Sequence, residues 1–171
     1  MLLPLLLAQA TPLAQFEQTL AATPSATAAL ATWCAARHLA DPAQITAAQV
    51  TGEDALPAPD LDDTLKLAPE ETPAYRHVRL SCGAKTLSEA HNWYAASRLT
   101  PEMNQQLATT NIPFGKVVAT LNFRRETLAA SPHAAGCPKD TILAHRALLR
   151  LPDGAPLALL IECYLPANLP R

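Results

Sequence analysis

The chain has no Cys-x-x-Cys pair and no histidines at metal-ligand spacing, so the usual sequence signals of a zinc site are missing. It has no cluster of Lys and Arg either. Its 13 cationic residues are scattered among 15 acidic ones for a net charge of -2, leaving no electrostatic footprint for nucleic acid or an anionic membrane surface. No apolar stretch is long enough to cross a bilayer, and no internal repeat is present. His77, His91 and His145 lack the neighbouring Ser or Cys motif of an activated nucleophile. What the 171 residues allow is one domain with a sizeable core; two separate cores would need more chain.

Cys34, Cys82, Cys137 and Cys163 lie far apart, and their spacing indicates no disulfide framework. They are expected to be free thiols, three of them in apolar surroundings where Cys behaves as a small hydrophobe. The start, "MLLPLLLAQATPLAQ", carries a short apolar run before Ala-Gln-Ala, which is signal-like, but it lacks a basic n-region and is interrupted by Pro4. Two readings stand: an unstructured start to a cytoplasmic protein, or a signal peptide that would place it in the periplasm. Residues 1–12 are therefore set apart from a domain expected over 13–171.

Leu13, Phe16 and Leu20 keep helical spacing, and a second helix after Pro24 puts Leu30, Trp33 and Cys34 on one face, with Ser25 or Thr27 as its cap. Residues 44–52 read as a strand. From 53 to 73 the chain is acidic and proline-rich, a solvated connection with one short turn near Leu65 and Leu67. "AYRHVRLSC" and "KTLSEAHNWYA" form a hairpin around Gly83. Thr100, Pro101 and Glu102 start a helix, and a second short one follows Pro113 as "FGKVVATL". "NFRRETLAA", "TILAHRALLRL" and "PLALLIECYLPA" are strands, the last two flanking a "PDG" turn. Helices first and then sequential strands, without βαβ alternation, predict an α+β fold with an antiparallel sheet.

Two charges are out of place. Strand alternation puts Arg76 on the face of Ala74, Val78, Leu80 and Cys82, where a guanidinium needs an anion beside it. Glu162 lies in "LALLIECYLP", whose apolar residues occupy both parities, so the strand is covered on both faces. An Arg76–Glu162 salt bridge would explain both; so would a pocket separating them, with a ligand carrying an anion at one end and a hydroxyl at the other. Glu89, beside His91 and Trp93, fits a supporting role in the hairpin. Gly115 in "IPFGK" opens a helix whose first N–H groups are able to face an anion.

"RLTPEMNQQLATTNIPFGKVVATLNFRRETL" together with "GAPLALLIECYLPA" resembles the chorismate lyases, which remove pyruvate from chorismate to leave 4-hydroxybenzoate. The match runs from about Tyr75 to Ala167. It implies a single antiparallel sheet of about six strands with helices packed on it and helical flaps over a buried site. It also implies that Arg76 grips the ring carboxylate, Glu162 hydrogen-bonds the ring hydroxyl, and the backbone N–H of Phe114 adds a contact. Ala26, in "SAT" at 25–27, stands where the family has Met and supplies a main-chain contact. Arg76 and Glu162 would be the catalytic pair of a cofactor-independent, metal-free enzyme, expected to be a monomer and to serve ubiquinone biosynthesis. A related sheet is a ligand-sensing domain in some bacterial regulators, so the alternative is a non-catalytic binding protein for an aromatic carboxylate.

Overall fold

A computed structural model describes residues 10–52, 56 and 60–170. The signal-like run (1–9) and residues 53–55 and 57–59 of the acidic connection lie outside the described residues. The helix starts follow the capping rules. Thr11 Oγ1 accepts the N–H of Ala14 at 3.2 Å ahead of α1 (Pro12–Ala22), and Ser25 Oγ accepts that of Ala28 at 3.1 Å ahead of α2 (Ala26–Ala36). Each hydroxyl replaces an acceptor that the first helical turn lacks. Phe16 and Leu20 on α1 meet Leu30, Trp33 and Cys34 on α2, giving the first part of the core.

The six strands are β1 (Ile45–Gln49), β2 (Ala74–Cys82), β3 (Lys85–Tyr94), β4 (Arg124–Ser131), β5 (Leu143–Arg150) and β6 (Pro156–Tyr164). They form one antiparallel sheet, as expected, in the order β1-β2-β3-β6-β5-β4 with β3 and β6 at its centre. Gly83 (φ 56°) and Gly154 (φ 88°) take the left-handed conformations that the two tight hairpins require.

A short helix, α3 (Leu61–Leu65), lays Leu65 on Trp93, Leu148 and Leu159 on one face of the sheet. The other face carries α1 and α2 and, beside them, α4 (Pro101–Thr109) and α5 (Phe114–Val117) with Leu107, Phe114 and Val117. Cover on both faces explains why the inward and outward residues of β6 are equally apolar. Helix α5 is shorter than its sequence suggested. The chain passes into a 3-10 turn at Ala119–Leu121 and stops at Asn122, whose φ of 52° ends the helical run.

The cysteines depart from expectation. Cys34 is bonded to Cys82 and Cys137 to Cys163, so no free thiol remains. Separations of 48 and 26 residues concealed the pairing, which arises because α2 crosses the end of β2 and the loop after β4 folds back over β6.

Candidate functional site

Between the sheet and the starts of α2 and α5 lies a small, partly enclosed cavity of about 40 Å³. Its floor is Val78 and Leu80 of β2, Ala90 and Asn92 of β3, and Leu160 and Glu162 of β6; its roof is Ser25, Ala26, Thr27, Phe114 and Gly115. A Cβ on Gly115 would sit 3.2 Å from Thr27 Oγ1 and 3.4 Å from Ser25 Oγ, so glycine lets the two helix starts approach this closely. The first N–H groups of α2 at Ala26 and Thr27 have no intrahelical acceptor and carry the positive end of the helix dipole. Asn92 is 4% exposed, and its side-chain amide, which makes no hydrogen bond among the described residues, is not sealed from solvent. Ser25, Thr27, Gly115 and Phe123 also line a groove of about 670 Å³ that is open to solvent.

One end of the cavity is an ion pair. Arg125 of β4 donates to both Glu162 oxygens, and the Tyr164 hydroxyl donates to Oε2 at 2.9 Å. Arg125 also donates to Thr127 Oγ1 at 2.7 Å and to His145 Nδ1 at 3.0 Å. Because a guanidinium only donates, His145 is neutral with its proton on Nε2. Burial by itself would lower the Arg125 pKa; the Glu162 carboxylate outweighs it and holds the pKa above its ordinary value. Burial pushes the Tyr164 hydroxyl well up and the His145 imidazole down.

Arg76 and Glu162 share the expected face, but no salt bridge joins them. Arg76 is buried above Asn92, its partner across β3, and donates to the carbonyls of Thr110 and Ile112 at 3.1 Å each. It pins the connection between α4 and α5, and its buried Nε has no partner. Burial lowers its pKa. Phe114 and Ala26 line the cavity, with the Phe114 ring 5.1 Å from that of Tyr94. Arg125 escaped notice. The buried Glu162 was the signal that some cation had to reach it.

On the opposite face, His77, Glu89 and His91 are all buried and have ligand atoms within 4.8 Å of one another, a set of residue types able to hold a metal ion. The imidazole rings of His77 and His91, however, are stacked with centroids 4.0 Å apart and planes 24° apart. Their in-plane lone pairs run nearly side by side, so an ion about 2.1 Å from both nitrogens would lie out of the ring planes. The geometry suits hydrogen bonds instead. His77 Nε2 donates to Glu89 Oε1 at 2.8 Å, and Arg79 donates to Oε2 at 2.9 Å, which gives Glu89 the hairpin role expected of it. His91 Nε2 donates to the Gly136 carbonyl at 3.2 Å, so Nδ1 accepts from the Tyr75 hydroxyl at 2.8 Å. For Glu89, burial favours the protonated form, but the Arg79 and His77 contacts override it and lower the pKa.

The sheet with its helical cover defines a class of α+β domain to which the effector domain of PhnF from Mycobacterium smegmatis also belongs. The TM-score is 0.56 over 74% of this chain and 84% of that one, at 10% identity. Against the PhnF structure the TM-score is 0.60 over 86% of this chain at 11% identity, and the chain spans 66% of that protein. No family model matches the chain. In sequence it is 41% identical over 160 residues to the uncharacterized protein y4mC of Sinorhizobium fredii (strain NBRC 101917 / NGR234), covering 82% of this chain and 68% of y4mC. The chain belongs to the y4mC family.

These relationships correct the resemblance to chorismate lyases. The chain is related in sequence to y4mC and shares its fold with an effector domain, so membership of the lyase family does not hold. Nor do the activities attached to it: lyase chemistry on chorismate, release of 4-hydroxybenzoate and pyruvate, and service to ubiquinone biosynthesis. The motifs that suggested it have structural work here. Phe114 packs on Tyr94, Glu162 is held by Arg125 and Tyr164, and Arg76 ties down the 110–112 connection.

Proposed function

We propose that this domain binds a small molecule without transforming it, and that the head of that molecule, a carboxylate on an aromatic body, enters the cavity against Asn92 and the start of α2. The observation that carries the reading is the Asn92 amide. It lines the cavity beside Val78, Ala90 and Leu160, makes no side-chain hydrogen bond among the described residues, and has an N–H free to donate to a ligand carboxylate. The N–H groups of Ala26 and Thr27 supply donors from the other side, with Phe114 closing the wall. Glu162 and Arg125 neutralise each other and serve as the polar end of the site. Arg76 acts indirectly, by holding the roof connection in place. An effector domain of the same fold supports a binding role, by likeness of fold alone.

The test is a thermal shift and a calorimetric titration with benzoate. Benzoate should raise the melting temperature of the wild type. Asn92→Leu should lose the response while still melting cooperatively, because it removes the amide without emptying the site. An Asn92→Leu protein that binds benzoate as the wild type does would sink the reading.

A second observation favours the periplasmic alternative over a cytoplasmic location. All four cysteines are paired, and reducing compartments keep such thiols apart. No described helix is long and apolar enough to cross a membrane. Thiol titration of the unfolded native protein, without reductant, should find none free; four would overturn this placement.

A further inference from the structure

The cavity is too small for a whole ligand. About 40 Å³ accommodates a few atoms, since one water already needs about 10–15 Å³. The space outside is far larger, about 670 Å³, and among the described residues Ser25, Thr27, Gly115 and Phe123 line both. From these volumes and their shared wall we infer that cavity and groove form one bipartite site, taking an aryl-alkanoate: the carboxylate in the cavity, the alkyl linker across the wall, and the ring in the groove. This rests on the binding role proposed above and adds the shape and class of the ligand.

The groove has the character that such a body requires. Ala28 and Ala31 of α2 stand three residues apart on one side, facing Ala43 and Ile45, so small apolar side chains leave room where larger ones would fill it. Charge is distributed to match. Cationic character lies at the cavity end, in the start of α2, where the carboxylate would sit. A ring joined directly to its carboxylate reaches no farther than the residues shared by the two spaces and gains nothing from the groove. A linker of several methylenes places each part in the space that fits it.

The experiment is a homologous series titrated calorimetrically against the full chain: benzoate, phenylacetate, 3-phenylpropanoate and 5-phenylpentanoate. Affinity should rise by about fourfold for each methylene that becomes buried. Ala31→Trp, which fills the groove at a partly exposed position on α2, should abolish that gain while leaving benzoate binding intact. Ala28→Leu should act in the same direction and guards against a folding defect in the first variant. If benzoate binds in an Asn92-dependent way but affinity is flat along the series, or the gain survives both groove variants, the bipartite site is wrong and the binding role stands. If no member binds, both fall.

Discussion

Replacing Arg125 by methionine would leave the Glu162 carboxylate in the cavity end with the Tyr164 hydroxyl as its remaining donor. The two side chains are 7% and 4% exposed, so solvent offers little compensation. Methionine retains much of the aliphatic stem, which confines the change to the guanidinium and its contacts with Glu162, Thr127 and His145. Removing one member of a buried pair costs about 3–5 kcal/mol, chiefly because the other charge stays behind. At roughly 2–4 °C per kcal/mol for a domain of this size, the melting temperature should drop by roughly 6–20 °C. Differential scanning calorimetry at neutral pH reads this directly. The double variant Arg125→Met/Glu162→Leu, with no charge to strand, should recover most of the loss, to within about 1 kcal/mol of the wild type. If the single variant melts within about 2 °C of the wild type, or the double variant is no better than the single, the pair is not what holds this end of the site.

Glu89 sets a pH dependence. Its folded pKa lies below the ordinary 4.5, so its stabilisation is present above that value and is lost as the pH falls through the folded one. Urea midpoints measured from pH 7 to pH 3 should fall on the acid side, and Glu89→Gln should flatten that slope. Cys34→Ala/Cys82→Ala should cost about 4 kcal/mol, from the loop entropy of a 48-residue separation, and Cys137→Ala/Cys163→Ala about 3.5 kcal/mol for 26. Equal denaturant midpoints with and without reductant would contradict both. Arg76→Met should speed amide hydrogen exchange across residues 110–118, because the Thr110 and Ile112 carbonyls lose their donor; unchanged exchange there would deny Arg76 its anchoring role.

Local chemistry made most of the fold readable. Ser25 and Thr100 cap helices where the sequence placed the starts, and Gly83 and Gly154 turn the two hairpins, whereas the first helix begins at Pro12 behind a Thr11 cap, inside the stretch set apart from the domain. What escaped was non-local. Both arginines lie two strands from β6, and register alone favours Arg76, whose row reaches Leu160, two residues from Glu162. The 110–112 carbonyls take the Arg76 head instead, and no strand pattern records where a loop will pass. Arg124 and Arg125 are adjacent, so composition does not say which one turns inward. The pairing of cysteines 48 and 26 residues apart was likewise invisible until the helices were laid on the sheet.

The bond between Cys34 and Cys82 closes a covalent ring that includes β1, α3 and the acidic connection. Lys66 is exposed inside that ring. A trypsin cut after it divides the polypeptide without parting it: α1, α2 and β1 stay attached to the rest of the sheet through one sulfur–sulfur bond. The nicked protein would run as one species on a non-reducing gel and as two after reduction. It would be a two-chain molecule whose roof and floor still face each other across the cavity.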